Sequence, residues 1–236
     1  MLGNQTFDHN MIRKYVVAFG TLFNEIFINT KDGDEVIKTL KVPLSYAEKD
    51  KLMARVLGDP EIDNKVAATL PRMSFEMTNI SYDGSRKFSK IMKVGRSGPD
   101  SGVSTFNPVP YNLNFSLYIA VKNTEDGTKI VEQILPNFTP DWNVTANLVP
   151  GLDAKVDIPI ILDNVSKEDS YEGDYKTRRA IIWTLNFTVK GYIFGPLTDR
   201  KRIETAIIDI FDDNKVPAAL AATITTTVDG VDIEEF

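Results

Sequence analysis

The order of apolar and polar side chains along this chain reads as a succession of strands and short helices. Between Asn107 and Trp142, Leu113, Phe115, Leu117, Ile119 and Val121 alternate with Asn112, Asn114, Ser116, Tyr118 and Ala120. A period of two sustained over that length predicts a strand with one buried face. The period then changes. Asn123 stands where a helix cap is expected, and Glu125 and Asp126 fall in the first turn, where the helix dipole favours acids. Ile130, Val131, Ile134 and Leu135 form an apolar stripe at helical spacing, and Pro136 stops it.

The same reading extends in both directions. Ile12, Tyr15, Val16, Phe19, Leu22 and Phe23 share one face of a helix expected from about Phe7 to Phe23. Glu25–Asn29 and Glu35–Val42 flank Lys31-Asp32-Gly33-Asp34, and the Asp-Gly pair predicts a hairpin. A short helix is expected over Ser45–Leu57, with Ser45 as cap, Glu48 at the capping-box position and Gly58 closing it. Met73, Phe75, Met77 and Ile80 predict a strand within Leu70–Tyr82, and Asn143–Leu148 and Ala154–Leu162 read as two more around a Pro150-Gly151 turn. Arg178–Ile193 reads as the longest strand. There Ile181, Trp183, Leu185, Phe187 and Val189 oppose Thr184, Asn186, Thr188 and Lys190, as in an antiparallel strand with one solvated or partner-facing side. Ile203, Ala206, Ile208 and Ile210 suggest a strand over Lys201–Phe211.

Three segments lack a period. Gly95–Gly102 has the composition of a mobile loop, and Asp163–Lys176 that of an acidic connection. Asp212–Phe236 is rich in Thr and Ala, poor in large apolar residues and acidic at its end, which predicts an extended or partly disordered arm. The expected organisation is a core over 1–196 with loop insertions near 83–107 and 163–176, followed by a strand and arm over 197–236. These elements place the fold in the α/β or α+β class.

Composition narrows the function. At 236 residues, 42% hydrophobic and 25% charged, the chain has ample core and an ordinary globular balance. A net charge of −6 argues against broad nucleic-acid binding, which needs a basic surface. The absence of cysteine excludes disulfides, thiolate metal sites and cysteine nucleophiles. Met1–Asn10 lack the basic start and apolar core of a secretory signal, and no apolar run approaches the roughly 18 to 20 residues of a membrane helix.

Catalytic chemistry finds little to stand on. His9 is the sole histidine and reads as a surface residue beside the first helix. Asp153 and Asp157, or Glu168, Asp169 and Glu172, could supply a carboxylate pair, but they fall in turns or in the acidic segment, where solvated charge is the plainer reading. The spacing of a calcium-binding loop is absent, and so are both phosphate-binding glycine motifs. No catalytic residue, metal or cofactor is expected. Two charge runs remain: Arg86, Lys87, Lys90, Lys93 and Arg96, and the acidic Glu168, Asp169, Glu172 and Asp174. They read either as two solvated loops or as complementary surfaces that meet between copies or partners. With Tyr171, Arg178 and Arg179 beside the acidic run, they are the candidate interface residues.

Several whole segments carry a specific resemblance: IRKYVVAFGTLFNEIFI, VPLSYAEKDKLMAR, LPRMSFEM, NPVPYNLNFSLYIAVKNTEDGTKIVEQILPNFTPDW and SKEDSYEGDYKTRRAIIWTLNFTVKGYIFGP. In wording and order, over about Met1–Pro196, they resemble the tail sheath stabiliser and completion proteins of long contractile-tailed bacteriophages, particularly the cyanophage type. The resemblance implies a structural protein and no enzyme. It implies an α+β, tail-terminator-like fold with a mixed, largely antiparallel sheet flanked by helices. It further implies a homohexameric ring in the virion, assembled in the host cytoplasm at the head-proximal end of the tail. Such a ring would sit on the tail terminator and last sheath ring, face the neck proteins, and let DNA through its channel without specific binding. No membrane partner is implied. The alternatives are the terminator itself or another ring-forming tail component and, more remotely, a carboxylate-dependent hydrolase.

Overall fold

A computed structural model describes residues 6–32, 35–57, 70–97, 101–152, 154–170, 180–201, 205–212, 219–227 and 230–235. The chain divides into two compact units, Met1–Met92 with Phe106–Pro196, and Lys93–Thr105 with Leu197–Phe236.

In the first unit, helix α1 (Met11–Leu22) precedes an antiparallel hairpin of β1 (Phe27–Asp32) and β2 (Glu35–Lys41). The hairpin was expected from Asp32-Gly33; residues 33 and 34 lie outside the described residues. Then follow β3 (Leu44–Tyr46), α2 (Lys49–Leu57), β4 (Arg72–Tyr82) and, after a short 3-10 turn at Gly84–Arg86, β7 (Val109–Val121). Helix α3 (Thr124–Ile134) leads to β8 (Asp141–Val149), β9 (Ala154–Ser170) and β10 (Ala180–Ile193). These strands make one six-stranded sheet in the order β3-β4-β7-β10-β9-β8, parallel at β3–β4 and antiparallel elsewhere. The class is α+β, with a mixed, largely antiparallel sheet.

The alternation read from the sequence sets the core. Leu113, Phe115, Leu117, Ile119 and Val121 of β7 are buried together with Ile181, Leu185, Phe187 and Val189 of β10. Helix α1 covers this face. Phe19 stacks on Phe115 at 4.5 Å and meets Phe187, Phe75 and Phe23 at 5.3, 5.4 and 5.0 Å. Tyr15 donates to the Tyr192 carbonyl (2.8 Å) and accepts from the Tyr192 amide (2.7 Å), and burial pushes its phenol up to about 12. The buried face of α1 is Met11–Tyr15–Phe19, a spacing of four; Ile12, expected to share it, is exposed. Helix α3 buries Ile130, Val131 and Ile134 of its predicted stripe, but Leu135, which starts the 3-10 turn after the helix, is exposed; α3 approaches the sheet closely at Gly127. A Cβ there would stand 2.5 Å from Trp183 Nε1. The opposite face of the sheet is covered near one end by Leu52 of α2, packed with Tyr118, Ala120, Ala180 and Leu70. Farther along it becomes a ladder of polar pairs: Ser116 to Asn186 (2.7 Å), Asn186 to Asn164 (2.7 Å) and Thr188 to Asp163 (2.6 Å).

Several expectations need correction. Ser45 caps no helix: it lies in β3, hydrogen-bonded alongside β4, and α2 starts at Lys49. Gly58 lies outside the described residues. Asn123 occupies the cap position of α3 without a side-chain bond to the helix. The acidic connection is a strand through Ser170, because β9 continues to pair with β10 from Leu162 to Ser170. At 17 residues β9 is therefore longer than β10, with 14.

The second unit contains β5 (Lys93–Ser97), β6 (Ser101–Phe106) and β11 (Thr198–Lys201), in the order β11-β6-β5. The glycine-rich segment expected to be a mobile loop thus contributes paired strands, apart from 98–100, which lie outside the described residues. Gly95 serves that pairing: a Cβ would meet the Val103 carbonyl oxygen at 2.8 Å. Within the span expected to be strand and extended arm, β12 (Thr205–Asp212), β13 (Ala219–Thr227) and β14 (Gly230–Glu235) form an antiparallel meander.

Candidate interaction surface

The groups considered for catalysis are engaged structurally. His9 Nε2 lies 3.0 Å from the Gly195 carbonyl oxygen. Asp157 accepts from Thr145, its cross-strand neighbour, at 2.6 Å. Glu168 pairs with Lys49, and Asp169 has Lys167 at 3.7 Å. Asp153 and Glu172 lie outside the described residues. Among the described residues no cluster of three His, Asp or Glu side chains could hold a metal, and no helix is long and apolar enough to cross a membrane.

The residues of the basic run differ in their surroundings. Arg86 faces inward: its Nε donates to Asp83 (2.8 Å), another nitrogen donates to the Tyr111 carbonyl (3.3 Å) and Asn112 Oδ1 (3.1 Å), and the guanidinium lies 5.0 Å from the Tyr192 ring centre. Asp83 accepts from the Ser85 hydroxyl and amide as well, and these bonds, with Arg86, hold its carboxyl well below the usual carboxylate range. Lys87 and Lys90 are exposed in the first unit, and among the described residues neither has an ion-pair partner. Lys93 and Arg96 are exposed on β5, in the second unit.

The acidic run is likewise partly neutralised within the chain. Register puts Glu168 opposite Ile182 and Asp169 opposite Ile181, so the two point to opposite faces of the sheet. The Lys49–Glu168 pair ties α2 to β9. Tyr171, Glu172, Asp174, Arg178 and Arg179 lie outside the described residues.

What the charge pattern did not reveal is the apolar surface beside Lys87 and Lys90. Tyr82, Phe88, Pro108, Val109, Pro110 and Tyr111 line a groove of about 380 Å³. Phe88 packs against Tyr192 at 5.7 Å and Tyr82 against Tyr111 at 6.0 Å, so aromatic rings line it. Next to it in the chain, Ile91 and Met92 are 86% and 63% exposed. The signal was present in the sequence: Phe88, Ile91 and Met92 are large apolar residues in a segment with no period that could bury them. These open apolar side chains stand close in the chain to Lys87 and Lys90, which have no ion-pair partner among the described residues. Trp142, 40% exposed at the start of β8, is a further aromatic at the opposite edge of the sheet.

The chain matches the family described as T4-like virus Myoviridae tail sheath stabiliser over residues 6–236. It is also similar to the tail completion protein gp15 of Enterobacteria phage T4, with 32% identity over 203 residues, covering 82% of this chain and 74% of that protein.

Proposed function

We propose a ring-forming role at the head-proximal end of the tail for this chain, which belongs to the tail sheath stabiliser family of T4-like contractile-tailed viruses. It is a non-enzymatic structural component of the virion tail, acting in tail completion and sheath stabilisation. In the proposed arrangement six copies close a ring on the tail terminator and the last sheath ring. The ring offers its other face to the neck proteins and leaves a channel for DNA.

The observation that carries this reading is the exposed apolar surface of Tyr82, Phe88, Ile91, Met92 and Val109 beside Lys87 and Lys90. On a tail component such a surface is explained by contact with another subunit. Lys87 and Lys90 are accordingly proposed as interface residues, and so are Lys93, Arg96, Asp169, Tyr171, Glu172, Arg178 and Arg179. Arg86 and Glu168 support the interface from within, through their internal pairs.

Electron microscopy of the purified chain, alone and added to tails that lack it, tests the proposal. A six-fold ring on the head-proximal tail end is the expected result. A native mass showing only monomer, even with terminator-capped tails present, would overturn it.

A further inference from the structure

The six-stranded sheet has two unfinished edges. At one, β3 pairs with β4 only over Met73–Phe75, so Glu76–Tyr82 has β7 on one side and, among the described residues, no strand on the other. Thr78, Asn79, Ser81 and Tyr82 are exposed there. At the other edge β8 pairs with β9 alone, and Trp142, Asn143, Thr145 and Asn147 are exposed. Open edges are templates for pairing with another chain, and proteins that stay apart blunt them with charge or proline. Met77–Tyr82 (MTNISY) and Trp142–Val149 (WNVTANLV) contain neither. Only local devices limit them. A register shift between Met77 and Asn79 bends β4, and Lys14 occupies the Leu148 carbonyl at 2.6 Å. Asn79–Tyr82 and Trp142–Ala146 remain as the open stretches.

The topology fixes how two such edges could meet. β4–β7, β7–β10, β10–β9 and β9–β8 are all antiparallel, so four reversals return β8 to the direction of β4. Register carries a level across the sheet: Ile80 opposes Leu113, Leu113 opposes Val189, Val189 opposes Ile160, and Ile160 opposes Trp142. The open part of β8 therefore stands level with the open part of β4. We infer that β8 of one copy adds in parallel to the free edge of β4 in the next, joining neighbouring sheets. The inference rests on the ring reading and supplies its contact.

Two different edges make a heterologous contact, the kind that closes cyclic rings, whereas β4 against β4 would stop at a dimer. The arrangement brings Trp142 toward the Tyr82–Phe88 groove of its neighbour, a large aromatic meeting an aromatic floor, as at the energetic centres of interfaces.

Because the chain has no cysteine, crosslinking tests the pairing directly. Chains carrying Ser81→Cys are mixed with chains carrying Asn143→Cys, assembled alone and on tails lacking the protein, and oxidised. Lys122→Cys, exposed beyond the end of β7, replaces Asn143→Cys as the control. Matching unfolding midpoints confirm that each variant is folded. Mixed dimers roughly tenfold above the control are expected, from the high effective concentration of paired strands. An assembled ring with no excess over the control, or Ser81→Cys crosslinking to itself as readily, overturns the edge pairing and leaves the ring standing. An unmodified chain that never assembles overturns both.

Discussion

At the scale of single residues, the groove depends on one carboxylate. Asp83 opens the turn after β4 and holds Ser85 and Arg86, and Arg86 carries the connection on to Tyr111 and Asn112 of β7. The loop that presents Phe88 and Lys90 is anchored there. The Ser85 hydroxyl first, then Arg86, favours the ionised carboxylate and depresses its folded pKa. A depressed value contributes stability that is fully present above the ordinary carboxylate pKa of about 4 and is lost as pH falls below it. In Asp83→Asn that contribution is absent at every pH. The variant is expected to unfold at lower urea than the parent at neutral pH, and to lose less further stability as the pH falls below about 4. Urea midpoints across that range check this; parallel pH profiles for the two proteins would refute the assignment.

At the scale of elements, α1 is fastened by a ring cluster rather than by its caps. Phe19 touches Phe115, Phe187, Phe75 and Phe23, and its removal opens a cavity between helix and sheet. Phe19→Ala is expected to cost about 3–5 kcal/mol in a urea unfolding experiment. A loss under about 1 kcal/mol would mean that α1 is not part of the core. The elements that build this core, α1, β7, α3 and β10, were also the legible ones, because burying one face writes a period into the sequence. β9 beyond Leu162 was not. Asp163, Asn164, Ser166, Lys167 and Glu168 are polar on both faces, and pairing with β10 imposes their conformation. Ser45 has the composition of a helix cap, yet hydrogen bonding beside β4 claims it first. The candidate surface divides in the same way. Lys87 and Lys90 announce themselves by charge, but Arg86 looks identical in sequence, and only the fold shows that its guanidinium is spent on Asp83 and β7. Tyr82, Val109 and Tyr111 belong to two strands and become one groove only when β4 and β7 pair.

At the scale of the whole molecule, two kinds of contact between copies are in competition, and ionic strength separates them. If the basic run of one copy met the acidic run of the next, the attraction would be screened and assembly would weaken as salt rises. The internal pairing of Arg86 and Glu168 removes a member from each run. If instead β8 adds to β4, the contact is made mainly of backbone hydrogen bonds and the uncharged side chains of 77–82 and 142–146. The dominant long-range term is then repulsion between copies that each carry a net charge of −6. The Debye length falls from about 30 Å at 0.01 M to about 8 Å at 0.15 M, so added salt removes repulsion while leaving strand pairing almost untouched. Assembly is therefore expected to strengthen over that range, seen as a lower protein concentration at half-assembly by sedimentation or single-particle mass. A marked rise in that concentration would shift the contact from the sheet edges to the charged runs. The ring would then be held by its loops, with the strands serving only to support them.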